Sequence, residues 1–186
     1  MRSFIAVLLP DALRARIHEA AGVLRQRGAA VSWVAADNLH LTLRFLGSVD
    51  EATLGRVREA LAEAGAATAP FAVTLGGFGG FPTARAPRVM WVGVTAGAEP
   101  LAALHARVEA ALAKQRIPPE GRPFHAHVTL GRARQPRGAV ELVEALAAPA
   151  ERYGEAPVDA VYLMRSDLHP AGARHSVLAK EALAAR

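Results

Sequence analysis

Two short stretches of the sequence carry the same pair of chemically capable residues. The stretch 40–43 reads His-Leu-Thr-Leu, and the stretch 127–130, nearly half the chain away, reads His-Val-Thr-Leu. An imidazole can take or give a proton near neutral pH, because its unperturbed pKa is about 6.5. A threonine hydroxyl can donate a hydrogen bond to a phosphate oxygen. Two such pairs could therefore bind a phosphate ester and supply both an acid and a base.

The residues around each pair alternate between apolar and polar, which predicts a β-strand with one buried face, since residues two apart share a face. The first strand, predicted over 38–46, has an apolar face of Leu39, Leu41, Leu43 and Phe45 and an opposite face of His40, Thr42 and Arg44. The second, predicted over 124–130, has an apolar face of Phe124, Ala126, Val128 and Leu130, an opposite face of His125, His127 and Thr129, and Arg132 just beyond its end. If the two strands pack as partners, both His-Thr pairs face one cleft.

Such a cleft suits attack on a cyclic phosphodiester. One imidazole would take a proton from water, and the other would give a proton to the departing ribose oxygen. Acid–base help of this kind contributes about 10²–10⁴-fold to a rate. Threonine hydroxyls and a nearby arginine would hold the phosphate and stabilise the charge that develops on it. This chemistry requires no metal, and we expect no cofactor.

Other interpretations of these residues stay open. His125 and His127 could bind a metal with His40 as a third ligand, although the chain has no cysteine and the second strand has no acidic residue. Arg44 could contact substrate or be a solvated strand residue. Phe45 and Phe124 are predicted to lie in the core, with stacking on a base as an alternative for Phe124. Three other histidines are predicted to be incidental, namely His18, His105 and His169.

The distribution of charge points to an anionic partner. The net charge is +5, from 22 Lys and Arg against 17 Asp and Glu. Two stretches contain no acidic residue: 70–98, with Arg85 and Arg88, and 121–140, with Arg122, Arg132, Arg134 and Arg137. Such stretches favour a phosphate-bearing ligand, although arginine-rich surfaces also serve solubility. A plain RNA-binding module therefore remains an alternative to an enzyme.

Composition indicates the class of protein. The chain of 186 residues is predicted to be a single domain over 1–186. The absence of cysteine excludes disulfides and thiolate metal sites. The apolar run at the N-terminus is short and stops at Pro10, and no stretch reaches the length of a membrane span. We expect a cytoplasmic monomer with no membrane partner.

The remaining segments predict an α+β fold with antiparallel sheets, because strands often follow one another directly. Further strands are predicted over 2–9, 71–75, 88–94, 158–164 and 175–179, and the glycine-rich stretch 76–82 is predicted to interrupt the sheet. Helices are predicted from Asp11 to Gly28, after Asp50 with Leu54, Val57 and Leu61 buried, from Pro100 with Leu101, Leu104, Val108 and Leu112 buried, and over 140–148. Asp11 and Asp50 are the predicted N-caps, and Pro118-Pro119 is predicted to end the third helix.

Together these motifs resemble the LigT-like branch of the two-histidine phosphoesterases, which are RNA 2',3'-cyclic phosphodiesterases often labelled 2'-5' RNA ligases. The resemblance rests on the segments 2–7, 38–47, 124–132 and 163–168, the last followed by Gly172. The sequence departs from the family at Ala126, Gly131 and His175, where the family often has proline, alanine and tyrosine.

The resemblance implies a bilobal α+β fold, with two pseudo-symmetric lobes of antiparallel sheet and outer helices around a central cleft. It also implies hydrolysis of a 2',3'-cyclic phosphate, on RNA or on a nucleotide, to a 2'-phosphate. By position, His40 would be the proton donor and His127 the proton acceptor. Thr42, Thr129 and Arg132 would bind the phosphate. The same site could also join RNA ends reversibly through a 2'-5' linkage.

Overall fold

A computed structural model describes residues 1–28, 30–135, 139–148, 151–169 and 172–184 of the chain. The strands of this part are β1 (Arg2–Leu8), β2 (Val31–Trp33), β3 (His40–Ser48), β4 (Phe71–Phe81), β5 (Val89–Ala96), β6 (His127–Ala133), β7 (Arg152–Val158), β8 (Ala160–Asp167) and β9 (Arg174–Ala182). Its α-helices are α1 (Asp11–Ala20), α2 (Gly22–Arg27), α3 (Glu51–Ala66), α4 (Ala98–Lys114) and α5 (Val143–Leu146).

The strands form one strongly curled antiparallel sheet in the order β7-β4-β5-β6-β3-β1-β8-β9, with β2 paired to β6. Two half-sheets are evident in this order. The first contains β1, β3, β8 and β9, and the second contains β2, β4, β5, β6 and β7. They meet where β3 pairs with β6 at Leu41 and Val128. The predicted α+β class with two antiparallel lobes is confirmed, and the lobes are hydrogen-bonded into a single sheet.

The helices cover the apolar face of this sheet. The residues predicted to be buried on α3 and α4 are buried, namely Leu54, Val57, Leu61, Leu101, Leu104, Val108 and Leu112. The predicted cap of α3 is also confirmed, because Asp50 Oδ1 accepts a hydrogen bond from the Thr53 amide at 2.8 Å. Asp11 instead lies inside the first turn of α1, where it pairs with Arg14. None of the helices described is long and apolar enough to cross a bilayer.

The clearest difference from prediction concerns the glycine-rich stretch. It does not interrupt the sheet, because β4 runs without a break from Phe71 to Phe81. A Cβ atom at Gly76 would collide with the carbonyl oxygen of Glu151, and one at Gly79 would collide with the Trp91 ring. These glycines therefore permit close packing within a strand rather than ending it.

Several element boundaries also differ. The predicted helix from Asp11 to Gly28 is broken at Ala21 into α1 and α2, and the predicted helix over 140–148 is a 3₁₀ turn followed by α5. The helix α4 ends at Lys114, before the two prolines that were expected to end it. The short strands β2 and β7 were not predicted. Both belong to the second half-sheet, where they pair with β6 and β4.

Candidate active site

The two predicted His-Thr pairs lie on neighbouring strands, β3 and β6, on either side of the point where the half-sheets join. The cleft between them has two compartments. The His40 compartment, of about 590 Å³, is lined by His40, Thr42, Thr129 and Arg132 together with other residues. The His127 compartment, of about 400 Å³, is lined by Thr42, His127 and Arg132 together with others. The structure thus places all five predicted site residues around one cleft, with Thr42 and Arg132 lining both compartments.

The two imidazoles are held in the same way. His40 Nδ1 lies 2.7 Å from the carbonyl oxygen of Asn38, and His127 Nδ1 lies 2.6 Å from the carbonyl oxygen of His125. A carbonyl oxygen only accepts hydrogen bonds, so each Nδ1 carries a hydrogen and each Nε2 is the nitrogen that exchanges its proton. Each ring is therefore anchored to the residue two positions earlier and oriented for proton transfer through Nε2.

Burial makes both imidazoles less basic than a histidine in water. Desolvation lowers the pKa of His40 from 6.5 to about 4, partly opposed by the Asn38 carbonyl and assisted by the nearby His175 and His127. Desolvation also lowers the pKa of His127, and the nearby Arg132 and His125 add to that effect, while its bond to the His125 carbonyl opposes it. Both rings are thus neutral at pH 7 in the free protein. An anionic phosphate in the cleft would raise both pKa values, since it stabilises the imidazolium form.

Aromatic side chains support each imidazole. The Phe4 ring stacks on His40 at a centroid distance of 4.7 Å, and the His175 ring meets His40 edge-on at 5.2 Å. On the other side, Phe81 meets His127 edge-on at 5.1 Å, and Trp91 lies 6.4 Å from it. Sequence reasoning did not assign Phe4, Phe81 or Trp91 to the site, because nothing local relates their positions on β1, β4 and β5 to the two motifs.

A β-bulge in β3 reverses the predicted faces of Arg44 and Phe45. Ile5 pairs with Arg44 but the next residue, Ala6, pairs with Thr42, so Leu43 is an extra residue that shifts the alternation. Arg44 is consequently only 6% exposed, and Phe45 is 54% exposed and lines both compartments. The prediction that Arg44 shares the cleft face and that Phe45 lies in the core is therefore wrong for both residues.

The residues just before β6 also differ from prediction, because Phe124 and His125 precede the strand rather than begin it. Phe124 is half-buried and stacks on His105 at 4.3 Å, and both line the His127 compartment. His105 thus lies in the wall of the cleft, a position that the sequence did not predict. His125 packs against Phe81 at 5.5 Å. In the part of the chain that the structure describes, no three His, Asp or Glu side chains converge as metal ligands would, so the alternative of a metal at His40, His125 and His127 lacks a ligand set.

The charges around the cleft favour an anionic ligand. Arg2 and Arg132 line the His40 compartment, and no acidic residue lies among its described lining residues. Arg122 and Arg132 line the His127 compartment together with Glu120, whose carboxylate lies 3.7 Å from Arg44 Nη1. The other arginines of the predicted basic stretches do not line either compartment in the described residues, namely Arg85, Arg88 and Arg134. Arg137 and Pro136 lie outside the described residues.

Comparison with known proteins identifies the class. A profile of the 2'-5' RNA ligase superfamily matches residues 9–170. A Methanothermobacter thermautotrophicus protein named RNA 2',3'-cyclic phosphodiesterase is 34% identical over an alignment of 173 positions, which covers 92% of this chain and 93% of that protein. A Thermus thermophilus protein of the same name is 38% identical over an alignment of 191 positions, which covers 98% of this chain and 90% of that protein. The chain therefore belongs to the 2'-5' RNA ligase superfamily.

Solved structures agree with this membership. The crystal structure of TT0787 of Thermus thermophilus aligns over 100% of both chains with a TM-score of 0.80 and 32% identity. The structure of E. coli LigT complexed with 3'-AMP aligns over 98% of this chain and 97% of that chain, with a TM-score of 0.77 and 29% identity. The LigT-like resemblance seen in the motifs is thus confirmed over essentially the whole chain.

Proposed function

We propose that this chain hydrolyses the 2',3'-cyclic phosphate ends of RNA to a 2'-phosphate, with His40 as proton donor and His127 as proton acceptor. Membership in the superfamily and the relatives named RNA 2',3'-cyclic phosphodiesterase support cyclic phosphate hydrolysis as the reaction. One observation supports the use of both histidines in proton transfer. Both rings are tied through Nδ1 to a backbone carbonyl beside the same threonine-lined cleft, which leaves Nε2 of each for proton transfer.

In the proposed reaction, the cyclic phosphate lies between Thr42 and Thr129, whose hydroxyls donate to its non-bridging oxygens, with Arg132 stabilising the added negative charge. His127 Nε2 takes a proton from water as the water oxygen bonds to phosphorus. The bond from phosphorus to the 3' oxygen breaks, and His40 Nε2 gives its proton to that oxygen. After this step His127 carries the proton taken from water and His40 lacks the proton given to the 3' oxygen. Proton exchange with solvent restores both rings before the next turnover.

For His40 to act as the acid, bound substrate must raise its pKa so that the ring is protonated near pH 7. A ring with a pKa of about 4 is neutral at pH 7, and a neutral Nε2 has no proton to donate. The negative charge of the cyclic phosphate raises that pKa once it occupies the cleft. The choice of the 3' oxygen as leaving group, and hence of His40 as acid, rests on the family resemblance.

The test is incubation of the purified protein with a 2',3'-cyclic nucleotide and with RNA bearing such an end, in excess chelator. We expect turnover at the rate seen without chelator, and a 2'-phosphate as the only product. A 3'-phosphate product would reverse the acid and base assignment. Loss of activity in chelator would instead favour a metal-dependent hydrolase, and RNA binding without turnover would favour a binding module, whose affinity should fall steeply with salt.

Ligation is a second candidate function, favoured by the size of the His127 compartment. Hydrolysis needs room beside His127 only for the attacking water, which occupies about 30 Å³. The His127 compartment is about 400 Å³ and has the Phe124 ring and Arg122 in its wall. A ribose 5'-hydroxyl could therefore replace water beside His127 and attack the same phosphorus. Gel analysis of an RNA with a cyclic phosphate end and a second RNA with a 5'-hydroxyl would reveal a 2'-5' linked product, and its absence would exclude this activity.

The proposal also covers the substrate, the oligomeric state and the location of the protein. An RNA partner is consistent with the relatives, and we propose RNA or nucleotides with cyclic phosphate ends as the substrates of a monomer located in the cytoplasm. Gel filtration with light scattering measures the mass, and a value near 19.6 kDa is expected for a monomer.

A further inference from the structure

Beside the cleft, a partly buried cluster of charged residues joins the two half-sites, namely the His40-Thr42 pair and the His127-Thr129 pair. The proposed reaction makes no use of this cluster. Arg44 follows Thr42 on β3 but turns away from the cleft because of the bulge. Its Nε lies 3.4 Å from Glu109 Oε1 on α4, and its Nη1 lies 3.7 Å from Glu120 Oε2. Its Nη2 donates a hydrogen bond to the carbonyl oxygen of Pro118. A single arginine beside the first motif thus contacts Pro118 and Glu120, which lie in the segment that leads into the second motif.

Those two residues belong to a segment without helix or strand, residues 115–126, here named the connection. It begins in a tight turn at the end of α4, where the Ile117 amide donates to the Leu112 carbonyl at 3.0 Å. It ends at β6, immediately after His125 supplies the carbonyl that anchors His127 Nδ1. The connection therefore helps to fix the His125 carbonyl and the His127 ring, together with the pairing of His127 with Gly93 of β5.

Glu120 is the centre of the contacts that hold the connection. Its Oε2 accepts from the Phe45 amide at 3.4 Å, and its own amide donates to Glu109 Oε2 at 3.4 Å. Direct pairing between β3 and β6 in the described residues is limited to Leu41 and Val128. Arg44 and its partners therefore provide a second link between the two half-sites, which reaches the wall of the His127 compartment at Glu120.

We propose that Arg44 is a positioning residue, which aligns the second His-Thr pair with the first by holding Pro118 and Glu120 of the connection. The guanidinium suits this role because its planar group can donate in several directions at once, whereas a lysine ammonium acts as a single point of charge. The consequence for catalysis rests on the proposed function, since it assumes that His127 takes part in the reaction. The consequence for the position of His127 does not depend on the proposed function.

The test compares Arg44→Met, Arg44→Lys and the triple variant Arg44→Met/Glu109→Gln/Glu120→Gln. Arg44→Met should lower kcat on a 2',3'-cyclic nucleotide by about 10–100-fold with a smaller change in KM, because displacement of a catalytic group by 1 Å can cost about 100-fold. Arg44→Lys should restore part of kcat. The triple variant leaves no carboxylate unpaired, so it should recover the melting temperature of the wild type without recovering kcat.

A second measurement does not depend on activity. In ¹⁵N-imidazole NMR spectra of the free protein, Arg44→Met should shift the signals and the titration midpoint of His127 and leave those of His40 in place. If the wild type proved inactive, the proposed function would fail while this result could still support the positioning role. Unchanged His127 signals in Arg44→Met would overturn it.

Lys114→Met is the matched control, because it removes the ion pair of α4 with Glu63 without touching the connection. We expect it to keep the wild-type kcat and the wild-type spectrum of His127. An equal loss of kcat in Lys114→Met, or recovery of kcat together with the melting temperature in the triple variant, would show that Arg44 contributes only general stability and would overturn the proposal.

Discussion

The two half-sites carry the same motif, but they differ in what surrounds it. His40 is enclosed by Phe4 and His175, and burial lowers its pKa to about 4. His127 lies against Phe81 and close to Arg132, and its pKa is lowered for the same main reason. A duplicated sequence therefore gives two chemically unequal histidines, because each ring takes its environment from strands that the motif does not include.

The segments that lead into the motifs differ as well. A 3₁₀ turn, Ala36–Asn38, precedes β3, and Arg14 Nη1 donates to the Asp37 carbonyl in it at 2.7 Å. The connection that precedes β6 is longer and irregular, and the buried Arg44 holds it. In both half-sites an arginine thus donates to a backbone carbonyl of the segment that anchors the imidazole.

The largest effect is expected when one imidazole is removed at a time, which tests whether both half-sites are needed for activity. His40→Ala and His127→Ala should each lower kcat/KM on a cyclic nucleotide by about 10²–10⁴-fold, since each removes one proton-transfer group. The measurement is steady-state kinetics with circular dichroism to verify folding. His18→Ala on α1 is the control and should retain activity. Full activity in either cleft variant would contradict the acid–base assignment.

Substitution of the two threonines tests whether both half-sites contribute equally to phosphate binding. Thr42→Val and Thr129→Val keep the shape of the side chain and remove the hydroxyl donor, so each should lower kcat by about 100-fold. The Thr→Ser changes at the same positions keep the donor and serve as controls. A large effect at one position only would show that the phosphate lies against one half-site.

The pH dependence of stability should separate the two histidines. A histidine whose pKa is lower in the folded state binds its proton better when unfolded, so stability falls as the pH falls from 6.5 to about 4, the window set by His40. We expect His40→Gln to flatten that decline and His127→Gln to flatten it less. Urea unfolding across this pH range measures the effect. Equal slopes in the wild type and in His40→Gln would contradict the low pKa of His40.

The smallest effect is expected at Arg14. Its contact with Asp37 is partly exposed, and the 3₁₀ turn and the pairing of β3 with β1 also hold that segment. Arg14→Met should therefore lower kcat only a few-fold, about the size expected for loss of one partly exposed hydrogen bond. The comparison with Arg44→Met in the same assay tests whether the second half-site depends more on its arginine. A larger loss in Arg14→Met would reverse that order.

Much of the architecture could be predicted from local pattern. The buried faces of α3 and α4, the cap at Asp50 and the antiparallel character of the fold all follow from periodicity and from the order of the elements. The glycine stretch of β4 could not be predicted, because its glycines are required by close contacts with the Glu151 carbonyl and the Trp91 ring, which no pattern within residues 76–82 indicates. The short strands β2 and β7 depend in the same way on partners that no local pattern identifies.

For the site, the sequence by itself determined which residue types come in pairs, because alternation on a strand places a histidine and a threonine on one face. Only the tertiary structure decided where Arg44 and Phe45 point, since the bulge arises from the pairing of β3 with β1. It also decided the anchoring of each Nδ1 and the aromatic rings around each imidazole. Alternation is a local property of the chain, whereas register, burial and ring contacts depend on segments that are brought together only by folding.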